Sequence, residues 1–129
     1  MKKATILIIE DHEAVRVLLG MTFKKQFNVV TKKDGIEGLA WLSQGYMPDL
    51  IILDMQMPRL NGLDFLKQLR TTGFFAHIPV LLISGNEDVA ENELLFDLGI
   101  IDFIPKPFNL PSLQEKVTNV LAKRRSYAA

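Results

Sequence analysis

Five residues whose side chains could do chemistry stand at or just after the ends of short apolar runs. They are Glu10, Asp11, Asp54, Ser84 and Lys106. Such runs are typical of strands, and the carboxyl ends of parallel strands meet at one edge of a sheet, where doubly wound proteins bind ligands. We therefore expect three carboxylates, one hydroxyl and one ammonium to converge at that edge.

The expected chemistry of this group is phosphoryl binding. Carboxylates held close together repel each other and raise each other's pKa, and a divalent cation relieves that repulsion. An all-oxygen ligand set without His or Cys suits Mg²⁺ best. The Lys106 ammonium and the Ser84 hydroxyl suit phosphoryl oxygens, and Gly85 leaves room for a group to approach the backbone. Because a carboxylate can itself be a nucleophile, the pattern predicts a phosphoryl group on or next to Asp54.

Each of these residues also has a simpler explanation when it is taken alone. Glu10 and Asp11 could begin the first helix, where acidic groups favour the helix dipole. Ser84 could be an ordinary loop serine, Lys106 a solvated lysine, and Asp54 the cap of a turn. Each explanation stays open for its own residue. Four separate strand ends that each supply the required residue type nevertheless favour a common site.

The apolar runs recur along the chain with helical segments between them. They are TILIIE (5–10), FNVV (27–30), LIILD (50–54), PVLLIS (79–84) and IIDFI (100–104). Consecutive apolar residues without alternation indicate strands that are covered on both faces. Five β-α units in this order predict an α/β fold, a doubly wound five-stranded parallel sheet with five helices on its two faces and right-handed crossovers.

Apolar spacing and capping residues predict where the helices lie. Helical stripes are formed by Val15, Leu18, Leu19, Thr22 and Phe23 and by Leu113, Val117, Val120 and Leu121. Asp34 with Glu37 predicts a capping box, and Asn109 begins the last helix. Helix ends are indicated by Gly45, Gly73 and Gly99, the last of which closes segment 88–98.

The composition bounds the class of protein. The chain has 129 residues, 48% of them apolar, with 15 basic and 15 acidic residues and a net charge of zero. That balance argues against a protein held to nucleic acid by charge, and the lack of cysteine excludes disulfides and thiolate chemistry. No apolar run is long enough for a signal-peptide core or a membrane span, so we expect a soluble cytoplasmic protein.

Over about residues 4–123 the sequence resembles the receiver domain of bacterial two-component response regulators, the CheY-like superfamily. The motifs that carry this resemblance are IIED (8–11), ILDMQMPRLNG (52–62), LLISG (81–85) and DFIPKPF (102–108). The resemblance implies a flavodoxin-like sheet of strand order 2-1-3-4-5. We expect a single receiver domain over 1–129, in which residues 124–129 are a tail or the start of a linker.

The resemblance implies roles for the acidic residues. Asp54 is the phosphoacceptor in a His-Asp phosphorelay. Asp11 and Asp54 hold Mg²⁺, for which Mn²⁺ can substitute, with the backbone carbonyl of Gln56 as third protein ligand and Glu10 acting through water. Gln56 and Asn86 occupy two variable positions that help to set how fast the acyl phosphate hydrolyses.

The resemblance also implies how the signal leaves the site. Ser84 and Lys106 bind the phosphoryl oxygens. Phe103 stands at the aromatic switch position, whose rotamer is coupled to Ser84. The Lys106–Pro107 peptide bond is cis. The face built from helix 4, strand 5 and helix 5 carries the output.

The resemblance implies partners of three kinds. A sensor histidine kinase or a histidine phosphotransfer protein supplies the phosphoryl group, and an output target takes up the signal. A phosphorylation-dependent homodimer is compatible with the pattern, whereas direct nucleic-acid or membrane binding is not expected. The domain catalyses its own phosphorylation and dephosphorylation and acts on no outside substrate.

The sequence departs from the usual family pattern at a few positions. Glu10 replaces a commoner aspartate, Ser84 stands where threonine is frequent, and Phe103 stands where tyrosine is common. Ile100 and Ile101 are bulkier than the small residues usual there. These changes retain the carboxylate and the hydroxyl, but Phe103 removes a hydroxyl from the switch.

Two other functions share parts of this pattern. A haloacid-dehalogenase-type phosphatase also uses Mg²⁺ and a nucleophilic aspartate at a strand end, but it needs a second aspartate two residues later as general acid. Here that position is Gln56, and the nucleophile follows the third strand instead of the first. A binding module of the same fold that works without phosphorylation is the other alternative, and the complete set of site residues argues against it.

Overall fold

A computed structural model describes residues 3–85 and 92–128 of the chain. Its five strands are β1 (Thr5–Ile9), β2 (Asn28–Lys32), β3 (Leu50–Asp54), β4 (Val80–Ser84) and β5 (Ile100–Pro105). They form one parallel sheet in the order β2-β1-β3-β4-β5. The predicted doubly wound sheet and its strand order are therefore confirmed.

Five α-helices connect and flank the strands. They are α1 (Glu13–Phe23), α2 (Gly35–Ser43), α3 (Gly62–Thr71), α4 (Glu93–Asp97) and α5 (Leu110–Ala128), and a 3₁₀ turn covers Gly73–Phe75. Residues 88–91 of the helix predicted over 88–98 lie outside the described residues. The backbone of 124–128 continues α5.

The strands bury side chains on both faces of the sheet because helices cover both. In β1, Ile6 and Ile8 contact the core under α1 and α5, whereas Leu7 and Ile9 contact the core under α2, α3 and α4. Every residue of β3 and β4 is buried. Consecutive apolar residues in a strand therefore reflect two cores, as the sequence predicts.

Side chains cap four of the helices at the expected kind of residue, and at α4 the cap is Asn92, which accepts from the N–H of Leu94 at 3.1 Å. Asp34 accepts a hydrogen bond from the backbone N–H of Glu37 at 2.9 Å, and Asn109 accepts one from Ser112 at 3.0 Å. Asn61 caps α3 in the same way, accepting from the N–H of Asp64 at 2.9 Å. The Glu37 carboxylate accepts a hydrogen bond from the backbone N–H of Lys33 at 3.4 Å. In an ideal capping box it would accept from the N-cap residue itself, which is Asp34.

The prediction for α1 was wrong for Leu18. Leu19 and Phe23 are buried against the sheet, but Leu18 is 47% exposed, together with Val17 and Met21. Leu18 satisfies the helical spacing, yet the helix is rotated so that its core-facing line runs through Leu19 and Phe23. Spacing alone cannot distinguish two neighbouring lines on one helix.

Arg70 at the end of α3 ties together two connections at the amino edge of the sheet, the one that precedes β4 and the one between α4 and β5. Its guanidinium donates to the carbonyl oxygens of Leu98 at 2.7 Å, Ile78 at 2.8 Å, Phe75 at 2.9 Å, Gly99 at 3.3 Å and Ala76 at 3.4 Å. Gly99 has a φ of 86°, and a Cβ there would come within 3.0 Å of the guanidinium. The turn after α4 is therefore shaped around this arginine.

We expect Arg70→Ala to lower the free energy of unfolding by about 2 kcal/mol, because several carbonyls lose a charged hydrogen-bond donor. Urea unfolding followed by Trp41 fluorescence measures this. Lys67→Ala on the exposed side of α3 is the matched control and should change the value by less than about 0.5 kcal/mol. An equally small effect of Arg70→Ala would contradict the anchoring role.

Candidate functional site

The carboxyl edge of the sheet gathers the residues predicted from the strand ends. Asp54 and Ser84 end β3 and β4, Glu10 follows β1, and Lys106 follows β5. Glu10, Asp54 and Ser84 are each about 1% exposed. They are three of only four buried polar residues in the described part of the chain, so this edge concentrates its buried polarity.

Strand register explains why Glu10 and Asp54 meet. Strands β1 and β3 pair Ile8 with Ile52 and Ile9 with Leu53. One further step in the same register places Glu10 opposite Asp54, and the alternation of the strands sends both side chains to the same face. Carboxylate oxygens of Glu10, Asp11 and Asp54 lie within 4.8 Å of one another.

Lys106 supplies the positive charge at this edge. Its Nζ lies 3.2 Å from Oδ1 of Asp54 and 3.6 Å from Oε1 of Glu10. Its backbone N–H donates to the carbonyl oxygen of Ser84 at 2.8 Å, which joins the ends of β4 and β5. The Lys106–Pro107 peptide bond is cis, as the resemblance implies.

Burial and crowding shift the titration of both buried carboxyls. Burial first, and then the neighbouring Asp54 carboxyl, raise the pKa of Glu10 from 4.5 to about 7, although Lys106 partly opposes this. Burial also raises the pKa of Asp54, against the lowering effect of its hydrogen bonds and of Lys106. Both groups are therefore costly to ionise without a further positive charge.

The donor set fits a divalent cation. Neither oxygen of Glu10 has a hydrogen-bond partner among the described residues, and the same holds for Oδ2 of Asp54. Buried acceptors of this kind usually serve a ligand, an ion or water. Asp11 is exposed, so the cluster opens to solvent on its side. Together the three carboxylates could hold a metal ion that prefers oxygen ligands.

The loops that present the carboxylates are held by contacts that sequence reasoning missed. Nη1 of Arg16 donates to the carbonyl oxygens of Glu10 at 3.0 Å and Asp11 at 3.2 Å, so the first turn of α1 fixes the acidic loop. The only sequence signal for this contact is an arginine about one helical turn after a pair of acidic residues, and such an arginine cannot be told from an ordinary surface arginine. The N–H of Gln56 donates to Oδ1 of Asp54 at 3.2 Å, so the turn-cap explanation of Asp54 is also correct.

The other residues predicted for the site or its switch are Gln56, Phe103 and Asn86. The side chain of Gln56 is exposed, and its Oε1 would lie 3.9 Å from a Cβ placed on Gly85. Phe103 is half-buried on β5 opposite Leu82 and packs against the core under α2, α3 and α4. Asn86 lies outside the described residues.

These features define a doubly wound α/β protein with an acidic, lysine-containing site at the carboxyl edge of its sheet. The family model described as "Response regulator receiver domain" matches residues 6–118. The chain therefore belongs to the receiver domain family of two-component signal transduction.

Individual relatives agree with this family. The response regulator MprA of Mycobacterium sp. strain KMS is 34% identical over 92% of this chain, and the match covers 50% of that protein. The hybrid signal transduction histidine kinase D of Dictyostelium discoideum is 32% identical over 96% of this chain and 8% of that protein. The crystal structure of a response regulator receiver protein from Pseudomonas putida has a TM-score of 0.83 and 27% identity, covering 92% of this chain and 98% of that one.

The chain spans about half the length of the curated response regulator and a small part of the hybrid kinase. Across 3–85 and 92–128, no helix is both long enough and apolar enough to cross a bilayer.

The raised pKa of Glu10 predicts how the stability of the metal-free protein depends on pH. The stabilisation from this group is fully present below its unfolded pKa of 4.5 and is lost as pH rises through about 7. Urea unfolding in the presence of a chelator should therefore show stability falling across that window, and Glu10→Gln should flatten the fall. Glu115→Gln, at an exposed position of α5, is the control and should leave the slope unchanged. An unaltered slope in Glu10→Gln would contradict the assignment.

Proposed function

We propose that Asp54 accepts a phosphoryl group from a phosphohistidine of a sensor kinase or phosphotransfer protein. The observation that carries this proposal is the buried Asp54 carboxylate with the Lys106 ammonium 3.2 Å from one oxygen and two further carboxylates beside it. A nucleophile at the end of a buried strand is held in one orientation, which lowers the entropic cost of transfer. The receiver domain then acts as a phosphoacceptor signalling module and turns over no outside substrate.

The transfer step balances without an added reactant. An oxygen of Asp54 attacks phosphorus, and the O–P bond forms while the P–N bond to the donor imidazole breaks. The imidazole leaves with the bonding electrons and is protonated. In hydrolysis, water attacks the same phosphorus and the Asp54 carboxylate leaves with inorganic phosphate as the other product.

Lys106 and Ser84 are the residues that would bind the phosphoryl oxygens. The Lys106 ammonium already lies beside Asp54, so it opposes the charge that develops as the phosphoryl group arrives. Ser84 at the end of β4 offers a hydroxyl on the neighbouring strand. The exposed side chain of Gln56, and Asn86 after β4, are proposed to set the rate of hydrolysis.

Glu10, Asp11, Asp54 and the backbone carbonyl of Gln56 are the groups that would hold Mg²⁺ or, in its place, Mn²⁺. When bound, the ion supplies positive charge that neutralises the approaching phosphoryl oxygens. Glu10, whose carboxyl is buried, would act through water. Asp11 is exposed and marks the side from which an ion and a donor can enter.

The signal is proposed to leave through the face made by α4, β5 and α5. Leu94, Phe96 and Ile101 are large apolar residues exposed on α4 and β5, which suits contact with a target or with a second copy of the chain. Ser84 and Phe103 are the proposed switch, because both lie on the strands that lead from the site to this face. Phosphorylation would bias two pre-existing arrangements of these residues.

Residues 4–123 would form one receiver unit, with 124–129 as a tail or the start of a linker. We further propose that it works in the cytoplasm, where the kinase would reach it.

Asp54→Asn should abolish phosphorylation by acetyl phosphate, because an amide is a poor nucleophile. Intact-mass measurement should show one phosphoryl group gained by the wild-type chain in the presence of Mg²⁺, labile to alkali and to hydroxylamine. Asp64→Asn, on the exposed side of α3, is the matched control and should be phosphorylated normally. Full Mg²⁺-dependent phosphorylation of Asp54→Asn would show that the phosphoacceptor lies elsewhere. An unphosphorylated wild type that still binds a partner would favour the phosphorylation-independent module, and turnover of an external phosphoester would favour the phosphatase.

Lys106→Ala should uncouple the site from the output face. Mg²⁺ binding should remain largely in place, since the ammonium is not a ligand, while NMR shifts of residues 92–120 on phosphorylation should be lost. Lys67→Ala should retain those shifts. Wild-type shifts confined to the loop after Asp54 would contradict the proposed output face.

A further inference from the structure

The loop between β3 and α3 is closed tightly at its base. The N–H of Gly62 donates to the carbonyl oxygen of Met55 at 2.9 Å. A Cβ on Gly62 would come within 2.8 Å of the Met55 Cα, so only glycine permits this approach. The N–H of Met55 in turn donates to Ile83 of β4 at 2.9 Å. The two ends of the loop are therefore fixed to each other and to the sheet.

The tip of the same loop carries an arginine in an unfavourable backbone conformation. Arg59 has a φ of 66°, in the left-handed region that glycine and asparagine occupy at little cost and arginine does not. It is the only such non-glycine residue in the described ranges. The turn itself would form more easily with glycine, so the side chain of Arg59 must contribute what glycine cannot.

The Arg59 guanidinium pairs with Asp34, at the start of α2. Asp34 is 3% exposed, whereas the side chain of Arg59 is 56% exposed. Burial would raise the pKa of Asp34, but the hydrogen bonds from the Glu37 N–H and from Arg59 outweigh it and lower that pKa. A buried carboxylate with this partner holds the arginine in place.

A second contact fastens the tip beside this pair. A Cβ on Gly35 would meet the carbonyl oxygen of Leu60 at 3.2 Å and its side chain at 3.1 Å, so the loop rests directly on the first residue of α2. The loop is thus held at its base by Met55 and Gly62 and at its tip by α2.

Gln56 lies between these two attachments. Its N–H donates to Oδ1 of Asp54 at 3.2 Å, and its carbonyl is the one backbone ligand in the proposed Mg²⁺ site. We propose that the Asp34–Arg59 pair is a positioning device that holds the β3–α3 loop so that the Gln56 carbonyl and Asp54 face the ion together. This inference rests on the proposed function of Asp54.

The opposite charges of the two residues allow an experiment to distinguish this positioning role from a field effect, in which each charge acts on the bound ion only through its electrostatic potential. Arg59 is a cation and Asp34 an anion, so through their charges alone their removal would change Mg²⁺ affinity in opposite directions. Loss of Arg59 would strengthen binding of the ion, and loss of Asp34 would weaken it. A positioning pair predicts weakening in both cases.

The test uses Arg59→Gly, Arg59→Lys, Asp34→Asn and the Arg59→Gly/Asp34→Asn double variant. Glycine relieves the left-handed backbone, and asparagine keeps the N-cap of α2, so each single variant removes the pair with little other damage. Mg²⁺ dissociation constants come from isothermal titration calorimetry with the metal alone. Thermal unfolding of each variant, followed by circular dichroism, reports folding.

We expect Arg59→Gly and Asp34→Asn each to weaken Mg²⁺ binding roughly tenfold, the low end for groups that orient metal ligands. The double variant should be no weaker than the singles, because the pair is broken once only. Arg59→Lys should recover most of the affinity. Phosphorylation by acetyl phosphate should be slow at low Mg²⁺ and near the wild-type rate at saturating Mg²⁺.

Several results would overturn the proposal. Opposite changes in Mg²⁺ affinity for the two single variants would show a field effect, and additive losses in the double variant would show independent roles. Unchanged affinity in folded variants, beside a wild type that binds Mg²⁺ and is phosphorylated, would remove the positioning role alone. If the wild type neither binds Mg²⁺ nor is phosphorylated, the proposed phosphoacceptor function is wrong, and this inference is wrong with it.

Discussion

The imbalance of charge at the carboxyl edge of the sheet is the constraint on which the rest of the structure depends. Glu10 and Asp54 are buried side by side and share one ammonium, that of Lys106. Desolvation therefore raises the pKa of both carboxyls, since the one ammonium of Lys106 does not make up for the hydration that burial removes. A chain keeps such an arrangement only where the surrounding packing is strong enough to hold it.

The strands that carry these carboxylates supply that packing. β1 and β3 lie in the centre of the sheet and pack apolar side chains into cores on both faces, so their ends cannot move without disturbing two layers of helices. The same pairing that buries Ile8 against Ile52 brings Glu10 against Asp54. Stability of the core and strain at the site thus follow from one strand register. This is the usual way in which functional sites depart from stability rules that the rest of a fold obeys.

Most of the fold, and the residues that meet at its edge, could be predicted because their signals are local or periodic. Unbroken apolar runs mark strands covered on both faces, and the strand-end positions of Glu10, Asp54 and Ser84 then follow from parallel topology. Three arginines could not be predicted in the same way. Arg16, Arg59 and Arg70 act through carbonyls or a carboxylate that the fold brings near, and nothing in their local sequence distinguishes them from surface arginines. The prediction of which α1 residues are buried was wrong at Leu18 for a related reason, because Leu18 and Leu19 satisfy the same helical spacing.

The two edges of the sheet are held by different kinds of interaction, and this difference bears on how a charge added at Asp54 would act. At the amino edge, Arg70 binds neutral carbonyls of the turns after the 3₁₀ helix and α4, and such contacts respond little to a charge at the opposite edge. At the carboxyl edge, Lys106 and Arg59 are held by carboxylates, whose attraction depends directly on the local charge. Leu98 and Gly99, just past the end of α4, accept hydrogen bonds from the Arg70 guanidinium. A change of charge at Asp54 would therefore act more directly on Lys106, whose ammonium contacts it, than on the turns that Arg70 holds. The carboxyl edge is thus where a phosphoryl group on Asp54 would first alter the forces that hold the fold, and the proposed output face would respond through the strands that end at that edge.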